Sequence, residues 1–202
     1  MGLKGVKRLG FAFFVAALAA AAPAGAQSTG IGGTAGSDFI DAVKKSDGDK
    51  ATQILASHPT GIVDTKGGDG NTALIIAISR VDENWTGFLL NKGADPNLAG
   101  KDGITPLIAA SRYGFSNAVE WLLGLGAKVD GTNRMGETPL IVAVQQREPE
   151  IVKLLLHAGA NPDKTDNAAG YSARDYATRD PRARDILKLI DDKKPKASTA
   201  SK

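Results

Sequence analysis

Two histidines, His58 and His157, are the whole supply of imidazole in this chain, and cysteine is absent. Acid–base or metal chemistry at imidazole needs a second ligand at helical or loop spacing, and neither histidine has one. His58 precedes Pro59 in a loop; His157 closes a helix, where a partly charged ring interacts favourably with the helix dipole. Without a thiol there is no disulfide, no thiolate nucleophile and no acylated cysteine. The glycines of QSTGIGGTAGS (27–37) come near a phosphate-binding loop, but no strand leads into them, so the stretch reads as a flexible linker. Carboxylates are plentiful, and their spacing singles out no acid–base pair. These residues point away from catalysis; no cofactor and no metal are expected.

The charge balance also narrows the partners. The chain carries 25 Lys plus Arg against 22 Asp plus Glu. Three of the basic residues, Lys4, Lys7 and Arg8, open the first 26 residues and precede an apolar stretch from Leu9 to Ala22 and the small residues Ala24, Gly25 and Ala26. That order is the order of a secretory signal, with cleavage expected between Ala26 and Gln27. The apolar stretch is shorter than the roughly 20 residues that cross a bilayer, so no stable membrane anchor is expected after cleavage. The mature chain is then balanced at 22 against 22. Nucleic-acid binding, which needs a basic excess to displace counterions, loses its support. The location expected is periplasmic or secreted.

Beyond residue 37 the sequence repeats. Gly70, Gly103 and Gly136 lie 33 residues apart, and the same period relates Gly93, Gly126 and Gly159 and the pairs Leu89-Leu90, Leu122-Leu123 and Leu155-Leu156. DGNTALIIA (69–77), DGITPLIAA (102–110) and MGETPLIVA (135–143) superpose without a gap. This pattern resembles the ankyrin repeat, with its Gly-x-Thr-Pro-Leu opening, central Ala, Leu-Leu and Gly-Ala-Asp close. The resemblance implies an all-α ankyrin-repeat solenoid of helix-turn-helix units joined by β-hairpin-like loops. It divides the chain into a signal peptide (1–26), linker (27–37), degenerate first copy (38–68), three clear copies (69–101, 102–134, 135–167), a C-terminal capping copy (168–192) and a disordered basic tail (193–202).

Each residue type has a local job. Thr72, Thr105 and Thr138 can cap a first helix, with Pro106 and Pro139 at its first position. Ala77, Ala110, Ala143 and Ala177 allow the two helices of a unit to approach. Gly93, Gly126 and Gly159 close the second helix. Trp85 and Trp121 invite a ligand-stacking reading, yet in register they match Ala118 and Ile151, and Phe88 and Leu154, and so belong to the core. The histidine that usually follows the opening Leu is replaced by Ile75, Ile108 and Ile141, so packing is expected to replace its bonds between units. Gly87, inside a second helix, marks the softest unit.

The positions that vary between copies are the candidates for recognition. In the family resembled, hairpin tips and the exposed side of the first helix line a concave face that binds proteins. Carried over, these are Asn71, Lys101, Ile104, Arg134, Met135, Glu137 and Tyr171 at the tips, and Arg80, Arg112, Tyr113, Gln145 and Gln146 on the first helices, with Arg179 in the last copy. Ile104, Tyr113 and Met135 are expected to form an exposed apolar centre flanked by Arg80, Arg112 and Arg134. Those arginines suit a partner with carboxylates, while Asp69, Asp102 and Glu137 leave the sign open. The function expected is an exported, monomeric scaffold for another protein, with an inhibitor or immunity protein, or a small-ligand binder, as alternatives.

Overall fold

The computed structural model describes residues 35–58 and 61–192; the expected signal segment (1–26), its expected cleavage point and the basic tail expected over 193–202 lie outside these residues. The described residues form ten α-helices and no strand, only isolated bridges such as Lys66 with Thr72. The helices come in pairs: α1 (Ala35–Lys44) and α2 (Gly48–Ser57), α3 (Ala73–Ser79) and α4 (Glu83–Asn91), α5 (Pro106–Arg112) and α6 (Ser116–Gly124), α7 (Pro139–Gln146) and α8 (Pro149–His157), α9 (Ala173–Arg179) and α10 (Arg184–Asp192). First helices pack on first helices more extensively than second on second, so the stack curves with α3, α5, α7 and α9 on its concave side.

Every unit begins by the same device. The Thr72, Thr105 and Thr138 hydroxyls accept the N–H of Ile75, Ile108 and Ile141 at 3.1–3.2 Å, satisfying a donor that the helix leaves unpaired. The last copy substitutes Ser172, which forms a reciprocal capping box with Asp175. Each of the three clear copies ends its second helix on a left-handed glycine, Gly93, Gly126 or Gly159. The next N–H, of Ala94, Ala127 or Ala160, then returns to the carbonyl of Leu89, Leu122 or Leu155. Those three leucines are fully buried, as are Leu74, Leu107 and Leu140 on the first helices.

Three expectations need correction. The first helix starts at Ala35, inside the stretch read as linker, and its Gly36 lies against Thr65 so closely that any side chain there would collide with it. Burial of Ile75, Ile108 and Ile141 does not act alone in holding neighbouring units. Asp64, Asn97 and Asp130, again 33 apart, accept the backbone N–H of Asp95, Lys128 and Asn161 in the next unit at 2.8–3.1 Å, a ladder across the seams. Gly87 is not merely a weak point: the Trp121 indole of the following unit lies over it, so that a methyl group added there would meet Cζ3 at 3.9 Å.

The copy built from α3 and α4 concentrates local defects. Val81, β-branched, holds a left-handed backbone at φ 53° in the turn between the helices. Thr86, in the place of Val119 and Val152, buries a hydroxyl that has no partner. Gly87 weakens the same helix. The last copy is pinned more firmly. Asp166 accepts the Tyr176 hydroxyl at 2.6 Å and the N–H groups of Ala169 and Gly170 at 2.8 and 2.9 Å. Burial pushes the Asp166 carboxyl up, and these bonds outweigh it, leaving it below the ordinary carboxylate range. The bond to Asp166, with burial second, holds the Tyr176 phenol up at about 12.

Two predictions arise here. Thr86→Val removes an unpaired buried hydroxyl and is expected to stabilise by about 1–3 kcal/mol, and Gly87→Ala by about 1 kcal/mol; thermal unfolding of the single variants checks both. The Asp166–Tyr176 corner gives the second. A depressed carboxyl contributes stability above its unfolded value of about 3.9 and loses it as pH falls through the lower folded value. A raised phenol contributes stability below its unfolded value of about 10 and loses it as pH rises toward the folded value. The melting temperature of the wild type should therefore drop on both flanks, and Tyr176→Phe should lower the plateau by about 1.5–3 kcal/mol and flatten the alkaline limb; an unchanged alkaline limb would refute the assignment.

Candidate functional site

The concave side carries one groove that the repeat register explains. At the inward position of successive first helices stand Ile76, Ala109, Val142 and Tyr176. Ala109 is the small member of this row, and beside it the wall dips. The dip opens a groove of about 250 Å³ between α3 and α5. Its floor is apolar, formed by Ile75, Ile76, Ala109 and Ile104, and its rim carries Asn71, Ser79, Arg112 and Tyr113, with Lys44 and Asp69 at the α1 end. Tyr113 stands 48% exposed on the rim, a large side chain without a covering neighbour.

Four of the residues named from sequence thus meet at one place: Asn71, Ile104, Arg112 and Tyr113. Ile104 is half-buried and packs against the core, so it supplies floor rather than an exposed knob. Met135, 52% exposed, is not part of this groove; it sits at the tip of the next hairpin, its N–H donating to Asn133 Oδ1 and its carbonyl accepting the N–H of Asn167. The expected apolar centre of Ile104, Tyr113 and Met135 therefore resolves into a groove and a separate tip.

The arginines are corrected most. Arg80 donates to the carbonyls of Val43 and Lys44, at 2.9 and 3.4 Å, and to Ser46 Oγ and Asp82. It staples the end of α1 to the next unit and is spent on structure. Arg134 pairs with Asp102 at 3.3 Å, at the two ends of one copy, and Arg112 with Glu137 at 3.8 Å, between adjacent copies. Glu137 is further held by Asn133 Nδ2 at 2.6 Å. Lys44 faces Asp69 at 3.6 Å, and the Asn71 N–H keeps the Asp69 carboxyl below its ordinary range. The rim is thus closely balanced in charge. Such exposed pairs contribute little stability individually, but they compensate the cations from which a carboxylate-bearing partner was inferred.

Elsewhere, the Asn71 side chain accepts the N–H of Lys101 at 3.2 Å, linking two hairpins, and the Lys101 side chain is exposed. Gln145 lies half-buried near Tyr176, and Gln146 is exposed at the end of α7. Tyr171 meets Tyr176 edge-on at 5.6 Å, and the Arg179 guanidinium lies over its ring at 3.9 Å. Sequence reasoning did not single out Ile75, Ile76 and Ala109 as groove residues. The signal was present as one alanine between an isoleucine and a valine in register. Among the described residues no group of three or more His, Asp or Glu side chains could hold a metal ion.

The comparisons agree with this architecture. A family model described as ankyrin repeats, three copies, matches residues 39–133 and 81–166. No curated protein matches the chain. With the paired helices, the shared caps and the curved stack, this match over most of the chain establishes that it belongs to the ankyrin-repeat family, whose arrays are scaffolds for protein–protein interaction.

Proposed function

We propose that this chain is an exported scaffold that holds one partner protein in the groove between α3 and α5, in the periplasm or outside the cell. The observation that carries the reading is the dip at Ala109 with Tyr113 beside it: an apolar floor at the middle of the concave side, rimmed by polar groups. A volume of about 250 Å³ suits one or two side chains of a protein better than a free small molecule, whose sites begin near 300 Å³. Rim exposure of an aromatic beside an arginine is also the composition of interface anchors. Export rests on the basic, apolar and small-residue segments of residues 1–26, with Gln27 as the first residue of the mature chain.

Replacing Tyr113 by a photo-crosslinking amino acid in the native host should join the chain to one specific protein, whereas the same label at Glu120, exposed on α6, should not. Equal products from both positions would remove the groove as the binding site. Cell fractionation and sequencing of the mature N-terminus test the export half independently; a cytoplasmic chain still beginning at Met1 would overturn it.

A further inference from the structure

Resting on the groove reading, we propose that the partner enters as an extended segment carrying one apolar side chain and, five or six residues away, a carboxylate that Arg179 receives. Among the described residues, Arg80, Arg112, Arg134, Arg147, Arg174 and Arg182 each have a carboxylate within 4.0 Å. Arg179 has none. Its guanidinium is instead laid over the Tyr171 ring at 3.9 Å, and that ring is braced by Tyr176. Asp175, the acid one turn before it, feels the Arg179 charge but lies beyond ion-pair distance, its carboxylate accepting both the N–H and the hydroxyl of Ser172. A stacked guanidinium has a fixed plane and open N–H edges, the arrangement that takes a carboxylate in bidentate fashion with little further loss of side-chain freedom.

The register places this cation relative to the groove. Ser79, Arg112, Gln145 and Arg179 occupy the same position on α3, α5, α7 and α9, with the last copy offset by the single extra residue before Ser172. Neighbouring packed helices stand about 8–10 Å apart, so α5 to α9 is two steps, about 16–20 Å. A chain advancing about 3.3–3.6 Å per residue covers that in five or six residues. Between the two anchors the face presents Gln145 and the compensated pair Arg112–Glu137, which demand no particular charge. The site therefore reads an apolar residue at one end and an acid at the other.

A displayed library of random peptides of about twelve residues, long enough to bridge both anchors, is selected on the full chain and on two variants that keep the wild-type melting temperature. Arg179→Gln removes the cation, and Ala109→Leu fills the dip. Selected peptides should share an apolar residue and an Asp or Glu at the stated separation. Arg179→Gln should weaken a selected peptide about tenfold, amide replacement of the peptide's acid should weaken it equally, and the two losses should not add. If Ala109→Leu abolishes binding while Arg179→Gln leaves the dissociation constant unchanged, the acid-reading role of Arg179 is overturned and the groove stands. If the selection is empty, or its peptides ignore both variants, both readings are overturned.

Discussion

No copy in this array can bury its own apolar surface, and that dependence organises everything else. The leucine and isoleucine faces of a first helix find their cover on the next first helix, so each unit is stable only between neighbours. The seam must then be reproduced at a fixed distance along the chain. The threonine caps start each first helix at the same residue, the glycine closures end each second helix at the same residue, and the side-chain oxygens of Asp64, Asn97 and Asp130 accept backbone N–H groups across the junction. In the last described copy, Leu140 gives way in register to Arg174. This residue reaches Asp163 and Asp191, a polar finish to an apolar row.

Register made the framework readable before any coordinates. The 33-residue period, the caps, the closing glycines and the burial of Trp85 follow from comparing one copy with the next, because a solenoid repeats its environment, whereas Trp121, also read as core, is only half-buried. Trp85 is buried at 9% exposure, and Trp121 packs edge-on to Phe115 while covering Gly87. What the comparison could not supply were contacts between non-equivalent positions. Arg80 meets the end of α1, and Arg112 reaches diagonally to Glu137; both depend on the rotation from one unit to the next, which no single copy encodes. The ladder was overlooked for another reason: Asp, Asn and Asp recur at the right spacing, but these residue types are so common in turns that their side-chain partners could not be named from type alone.

The same pairing that hides the arginines defines the surface. Successive copies exchange a cation and an anion across their rims, at Lys44 and Asp69, Arg112 and Glu137, and Arg147 and Asp180, and Asp102 with Arg134 joins the two ends of one copy. Long-range attraction is largely cancelled, so recognition on this face depends on shape and on the few polar groups left without a partner.

The irregularities of the α3–α4 copy bear on how such a face accommodates an occupant. Val81, Thr86 and Gly87 depress the local stability of the unit that supplies Ile75, Ile76 and Ser79 to one side of the groove, while the α5–α6 unit opposite has glycine at the equivalent turn and valine at the equivalent buried position. The residues that cost the α3–α4 copy stability therefore lie behind one wall of the groove and not the other, so the weakest seam of the array and its candidate binding surface share a unit.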